Sequence, residues 1–175
     1  MTSKGLFFKY MRENTKQRLW SVALIALLCF FLFPVLTALE ISIMLRPDNL
    51  SKDLSVEAAL AEAKLKLTNE MLNMYSIKNA MLVCILIVAA VVLAASGFSY
   101  LHSKKKTDFF HSLPISREML YTVTCLDGIL YLAVPYLVFL LASGVMLQVK
   151  GAPFSWETLL IGYVQHMCFF ILVYM

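Results

Sequence analysis

Charged residues are scarce in this 175-residue chain, where they make up 15% of the sequence against 61% for hydrophobic residues. A typical soluble domain has about a quarter of its residues charged and about half apolar. A water-facing core could not bury this excess of apolar surface, which excludes an ordinary soluble globule. The net charge of +4 is also too small to argue for a nucleic-acid partner. The composition suits a lipid bilayer as the solvent.

Metal-binding and catalytic signatures are also absent from the sequence. The four cysteines lie in separate apolar stretches and form no CxxC or Cys/His pair at ligand spacing. There is no glycine-rich phosphate loop, no HExxH and no GxSxG. These absences predict packed intramembrane thiols, with no metal site, no catalytic residue and no cofactor in this chain. We therefore do not expect an enzyme.

Long intervals without Asp, Glu, Lys, Arg or His are the strongest positive signal. A helix needs about 20 apolar residues to cross a bilayer. Four intervals qualify, the third broken only by Asp127 and the fourth only by His166: Leu19–Leu39, Asn79–Leu101, Met119–Val149 and Thr158–Met175. The predicted fold class is all-α, a polytopic transmembrane helical bundle with about four spans. The first interval fits a span better than a cleaved signal peptide, because its basic lead and its apolar run are both long.

These intervals and their flanks divide residues 1–175 into elements of one transmembrane domain. The fourth interval stops inside an apolar run, so we expect this to be the N-terminal part of the domain and the last span to be truncated. The predicted order is an interfacial helix at 1–18, span 1 at 19–45, an extracellular helical connection at 46–76, span 2 at 77–100, a cytoplasmic loop at 101–118, span 3 at 119–147, an extracellular loop at 148–157 and span 4 at 158–175.

Basic residues mark two of these flanks. Cytoplasmic flanks of spanning helices are enriched in Lys and Arg. The N-terminal segment and the loop between spans 2 and 3 are basic, whereas residues 40–78 carry five basic and six acidic side chains. The contrast predicts a multi-pass cell-membrane protein with a cytoplasmic N terminus. The N-terminal segment is either an amphipathic helix on the membrane surface or an ordinary basic flank. The residues predicted to meet the membrane surface are Lys4, Lys9, Arg12, Lys16, Arg18, Lys104, Lys105 and Lys106.

The connection between the first two predicted spans has a helical pattern of its own. Pro47 and Asn49 are helix-breaking residues that should end the first helix. Ser55 can cap a second helix, and residues 56–75 contain neither Gly nor Pro. We expect a helix that projects outside the membrane and runs into, or nearly into, the second span. It is either a sensor element or a packed extracellular helix.

Three polar residues inside the predicted spans are candidates for function: Asp127, Gln165 and His166. A carboxylate in hydrocarbon usually faces the bundle interior, a partner or water. Asp127 is therefore either a pathway or coupling residue, or an interfacial acid that reaches headgroups or a nearby cation. Gln165 and His166 either bond a neighbouring helix or contact a substrate. Pro34 and Pro135 predict kinks, which neighbouring helices tolerate in a membrane.

The loop between spans 2 and 3 carries the most specific pattern. Its residues run from a helix cap through an aromatic patch to a proline and a second cap: Thr107, Asp108, Phe109, Phe110, Leu113, Pro114, Ile115, Ser116, Arg117 and Glu118. We predict a short helix across the cytoplasmic end of the bundle. Exposed aromatics beside charge favour a protein partner. The alternative is that the patch packs against the chain's own N-terminal helix and the bilayer.

The order of residues in this loop resembles the first cytoplasmic loop of ABC transporter permeases of the type-2 exporter class. Such loops run Thr, two apolar residues, Leu, Pro, an apolar residue, Ser and Arg, as Thr107 to Arg117 do here. The residue sequence of this loop is similar to that found in permease subunits of peptide or antibiotic export systems in Gram-positive bacteria. The layout of the whole chain agrees with that class. Many members have acidic residues and a Gly where this chain has Lys104–Lys106 and Asp108, and the external connection here is longer than in the simplest members.

The resemblance implies that residues 107–118 form a coupling helix on a separate cytoplasmic ATPase subunit, which would bind ATP and Mg²⁺. It also implies a second permease copy or a homologous permease, further spans, and a bacterial plasma membrane. Phe109, Phe110 and Leu113 would fill a groove on the ATPase, and Arg117 and Glu118 would orient the start of span 3. The alternative function is a non-transporting membrane sensor or scaffold that uses the 56–75 helix outside the membrane.

Overall fold

The computed structural model describes Arg12, Lys16 and residues 18–46, 56–98, 117–153 and 155–175. Every regular element among these residues is a helix. Four of the helices are long and apolar enough to cross a membrane. The predicted all-α bundle is therefore confirmed. The helices are α1 (Leu19–Met44), α2 (Val56–Met74), α3 (Ala80–Gly97), α4 (Arg117–Val149) and α5 (Trp156–Tyr174).

The two prolines inside spans have different effects on their helices. Pro34 lies in a π-helical turn, Phe31–Val35, that joins the two α-helical halves of α1. Proline has no N–H to donate to the turn before it, and a widened turn is a common local response. The Thr37 hydroxyl donates to the Phe33 carbonyl (2.7 Å) and adds a bond within this region. Pro135 lies in α4, which stays α-helical throughout its length.

The four long helices pack around a shared interior but leave most of their surface outside it. α1 packs mainly on α4, and α3 packs mainly on α5, while α4 also contacts α3 and α5. Phe33, Leu132 and Phe170 lie at the centre, almost fully buried. Only 22–33% of the most apolar stretch of each long helix is buried inside the bundle. The remaining surface is apolar and outward-facing, which suits contact with lipid.

α4 and α5 form an antiparallel hairpin whose turn is built by glycine. The Gly151 N–H donates to the Gln148 carbonyl (2.9 Å), and the Ala152 N–H donates to the Leu147 carbonyl (3.1 Å). This is the Schellman arrangement that closes a helix C terminus. Gly151 has φ of +67°, in the left-handed region that residues with a Cβ rarely adopt. The end of the bundle that holds this turn is called the Lys150 end below, and the opposite end is the Arg18 end.

α2 lies against the bundle at the Lys150 end. Its buried residues recur at helical spacing and form one face: Ala59, Ala63, Leu67, Thr68 and Met71. α2 does not continue directly into α3, because a short turn intervenes. Asn79 holds this turn, accepting at Oδ1 from the Met81 and Leu82 N–H groups and donating from Nδ2 to the Met74 carbonyl. The helix predicted from residues 56–75 thus packs against the bundle, and a turn at residues 75–79 separates it from the next span.

Candidate functional site

Most of the loop predicted to form a coupling helix, residues 107–118, lies outside the described residues. The same is true of the basic residues that flank it and of the first part of the N-terminal segment. The structure describes Arg117 and Glu118 of the loop, and Arg12, Lys16 and Arg18 of the N-terminal segment. The predicted residues outside the described part are Lys4, Lys9, Lys104, Lys105, Lys106, Thr107, Asp108, Phe109, Phe110, Leu113, Pro114, Ile115 and Ser116.

The two ends of this loop are close together in space. α3 ends at Gly97, and the ring of the next residue, Phe98, stacks on Tyr121 in the second turn of α4 (ring centroids 5.6 Å apart, planes at 30°). Arg117 and Glu118 form the first turn of α4, where the Glu118 carbonyl accepts a bond from the Thr122 hydroxyl (2.7 Å). The loop therefore leaves and re-enters the bundle at the Arg18 end.

Four elements meet around Gly97 at that end. The Arg18 guanidinium, just before α1, donates a hydrogen bond to the Gly97 carbonyl at the end of α3. A Cβ at Gly97 would lie 3.3 Å from Arg18 Nη1, 3.4 Å from Thr124 Cγ2 in α4, and 3.5 Å from Tyr174 Oη in α5. We call these four residues, Arg18, Gly97, Thr124 and Tyr174, the Gly97 junction. It joins all four long helices at the base of the loop.

The Tyr174 side chain ties α5 to α4 within this junction. Its hydroxyl donates to the Thr124 carbonyl (3.3 Å). The ring passes directly over Gly128, where a Cβ would lie only 2.1 Å from Tyr174 Oη. Gly128 therefore provides the space that the tyrosine occupies. The Phe170 ring also stacks on the Tyr174 ring (centroids 5.5 Å apart, planes at 19°), which restricts its movement.

Asp127 lies next to the junction, one residue before Gly128, and is fully buried. Its burial places the carboxyl group in the bundle interior and away from lipid headgroups. This position is compatible with a pathway or coupling residue and with an acid paired to a nearby cation. Thr124, one turn earlier, is also buried and donates its hydroxyl proton to the Leu120 carbonyl (3.0 Å). The interior near the Arg18 end is thus polar, which is costly in a membrane protein and typical of functional regions.

His166 lies in a second buried polar group nearer the middle of the bundle. Its Nδ1 is 3.1 Å from the Tyr136 hydroxyl, and the Tyr136 ring contacts Phe33 (centroids 4.5 Å apart) and Tyr163 (5.6 Å). His166 therefore bonds a neighbouring helix, as one of the two sequence interpretations held. At 1.5 Å per residue, it lies about 12 Å along α5 from Tyr174, so His166 and Asp127 belong to different layers.

Gln165 faces another direction, although it is adjacent to His166 in sequence. Neighbouring residues on a helix point about 100° apart, and Gln165 is exposed while His166 is buried. Gln165 lines a cleft between α2 and α5 at the Lys150 end. The three predicted intramembrane candidates thus lie in three separate places. Among the described residues, no three His, Cys, Asp or Glu side chains are close enough together to hold a metal ion.

Sequence reasoning did not identify the Gly97 junction. Arg18 was predicted to meet the membrane surface, while Gly97, Thr124 and Tyr174 were not singled out for any such contact. Small residues such as Ala94 and Gly97 favour close helix packing in general, but they do not specify a partner. Nothing in the sequence indicated which side chains would fill that space, because the junction joins residues from distant parts of the chain.

Comparisons with known proteins found no relative of this chain. No protein-family model, no curated protein and no solved structure matches the chain.

Proposed function

We propose that this chain is a membrane-spanning permease subunit of an ATP-driven ABC transporter of the exporter type. It couples to a separate ATPase subunit through residues 107–118. It pairs with a second copy or a homologous permease in the bacterial plasma membrane, and its N terminus is cytoplasmic. The chain itself hydrolyses nothing, since ATP and Mg²⁺ bind to the ATPase. The resemblance of the loop suggests this function, and the structural observation that carries it is the Gly97 junction.

A coupling loop has to transmit a displacement of the ATPase to the spanning helices, which requires a rigid connection between the loop and those helices. Here the described flanks of the loop are short and packed, because Phe98 stacks on Tyr121 directly after α3 ends. The Gly97 junction then ties that same point to α1, α4 and α5. Since packed interfaces transmit displacements, a shift of the loop would move all four long helices together.

The charge distribution supports the orientation in this proposal. The Arg18 end carries Arg18 and Arg117 together with the acidic Glu118, and the loop sequence adds three lysines and one aspartate, Asp108. Near the Lys150 end, acidic Glu40, Glu70 and Glu157 offset the basic residues. Short basic flanks are retained in the cytoplasm, so the Arg18 end would face the ATPase.

The coupling role is tested by replacing Phe109 and Phe110 together with Ala. The tagged chain is purified from its native membrane in mild detergent, the co-purifying ATPase is identified by mass spectrometry, and ATP hydrolysis is measured in lipid nanodiscs. We expect the double variant to lose the ATPase subunit and the stimulated hydrolysis, while remaining folded. The matched control is Phe31→Ala, an aromatic residue on the outer surface of α1, which should retain both.

Two results would contradict the proposal. One is that no ATPase accompanies the unaltered chain, which would favour the sensor or scaffold function. The other is that the Phe109/Phe110 variant binds and stimulates the ATPase as well as the unaltered chain does.

A further inference from the structure

A cleft of about 240 Å³ lies between α2 and the α4–α5 hairpin at the Lys150 end. Its apolar wall includes Met71 of α2, Leu147 of α4 and Leu159 of α5, all of them almost fully buried. One side of the cleft is closed where α5 approaches the turn after α2. The two segments are so close there that a Cβ at Gly162 would lie 3.2 Å from the Tyr75 carbonyl oxygen. An engineered apolar cavity of about 150 Å³ is enough to hold benzene. This cleft therefore has room for a somewhat larger molecule.

Uncharged polar groups line the other part of the cleft. Gln165 presents a primary amide, which can both donate and accept hydrogen bonds. The Thr68 hydroxyl donates to the Lys64 carbonyl (3.0 Å), so its oxygen is left with acceptor capacity. Among the described residues, none of those that line the cleft is acidic, basic or histidine.

This lining selects against charged ligands. An ion that leaves water for a site without an opposite charge loses its hydration and gains no ion pair in return. A neutral hydroxyl or amide loses less hydration and can recover hydrogen bonds from Gln165 and Thr68. The apolar wall then favours a ligand whose remaining part is hydrocarbon, as in most small-molecule sites.

We propose that this cleft binds a small uncharged amphiphile, with its hydrocarbon part against Met71, Leu147 and Leu159 and its amide or hydroxyl on Gln165 and Thr68. The proposal does not depend on the coupling role of residues 107–118, because binding is a property of the chain alone. It would assign Gln165 to ligand contact, the alternative that the sequence left open beside helix bonding.

The probe is octanamide bearing a diazirine, photolysed on the purified full chain in lipid nanodiscs without any ATPase. Adducts are mapped by mass spectrometry, and competition is measured with octanamide, octanoate and octylamine. We expect saturable labelling of the facing walls in α2 and α5. Octanamide should compete at least tenfold better than either charged analogue, as the uncharged lining requires.

Variants separate the cleft from the general lipid surface. Gln165→Leu keeps the size of the side chain but removes its amide, and should weaken competition by octanamide about fivefold. Ile161→Trp, at an exposed position on the rim of the cleft, should block saturable labelling. Val164→Leu, on the outer face of α5 and outside the cleft, should leave labelling unchanged. Circular dichroism melts check that each variant is folded.

The proposal is overturned if labelling is unsaturable and spread over the outward-facing residues of all the long helices. It is equally overturned if octylamine or octanoate competes as well as octanamide, or if folded Gln165→Leu and Ile161→Trp variants bind like the unaltered chain.

Discussion

The Arg18 guanidinium donates a hydrogen bond to the carbonyl of Gly97 and so joins the start of α1 to the end of α3. The last carbonyls of a helix have no partner within the helix, and they carry partial negative charge. A cation is therefore well placed there, and the absence of a side chain at Gly97 lets the guanidinium approach. This single contact connects the basic N-terminal segment with the base of the loop proposed to bind the ATPase.

Replacing Arg18 with Gln should lower the free energy of unfolding. Hydrogen bonds to charged groups are worth about 1.5–3 kcal/mol, and partial exposure of Arg18 places the expected loss near the lower value. Arg18→Lys should lose less, because it keeps the charge but not the planar fork of the guanidinium. Thermal unfolding in nanodiscs measures the effect. Arg12→Gln is the control, since Arg12 is an exposed residue of the same segment; equal melting temperatures for the two Gln variants would contradict this role of Arg18.

Gly128→Ala should destabilise the bundle by crowding Tyr174. The added Cβ would lie 2.1 Å from Tyr174 Oη and 2.5 Å from Cζ, so the ring must move away from the Thr124 carbonyl. Overpacking of this kind costs about 1–3 kcal/mol. The Gly128→Ala/Tyr174→Leu double variant should recover part of the loss, because the smaller side chain removes the clash. If the double variant is less stable than either single variant, the crowding explanation is wrong.

The number and type of the long helices could be predicted from sequence because the bilayer imposes them. An apolar run of about 20 residues with at most one titratable side chain has few alternatives to a spanning helix. α1 and α3 correspond to unbroken runs, whereas the runs of α4 and α5 are interrupted only by Asp127 and His166. The burial of Asp127 could not be predicted in this way. Its depth along α4 was compatible with both the interior and the headgroup region, and only the rotation of α4 against its neighbours decides between them.

The Gly97 junction and the cleft at Gln165 depend on contacts between helices. Such contacts are set by packing among residues far apart in the sequence, and one sequence gives no signal for each pair. Gln165 and His166 illustrate the difference: both are polar and adjacent, but the helical rotation between them sends one to the cleft and the other to the interior.

The bond between Tyr136 and His166 should show a measurable coupling energy. Tyr136→Phe leaves the buried His166 Nδ1 without its hydroxyl partner, and His166→Leu leaves the Tyr136 hydroxyl without the ring nitrogen. Loss of one partner is costly in a buried site, whereas removal of both can be nearly neutral. A double-mutant cycle of unfolding free energies should give a coupling of about 0.5–1.5 kcal/mol, since such cycles average about 0.6 and reach about 1.7 kcal/mol for bonds between helices in a membrane. Strict additivity of the two single changes would contradict a direct bond.

Asn79→Ala should destabilise the start of α3 by about 1 kcal/mol, within the 0.5–2 kcal/mol range for loss of a side-chain cap. Asn79 accepts from the N–H groups of Met81 (3.1 Å) and Leu82 (3.4 Å), which lie where a helix has no internal partners. Ser155→Ala is the matched control, because Ser155 is the N-cap of α5 but makes no side-chain capping bond. Thermal unfolding should therefore distinguish the two alanine variants.

Because Asn79 also donates to the Met74 carbonyl (3.0 Å), hydrogen exchange of the last turn of α2 should increase in Asn79→Ala and stay unchanged in Ser155→Ala. Equal exchange in the two variants would show that Asn79 does not hold α2 against α3.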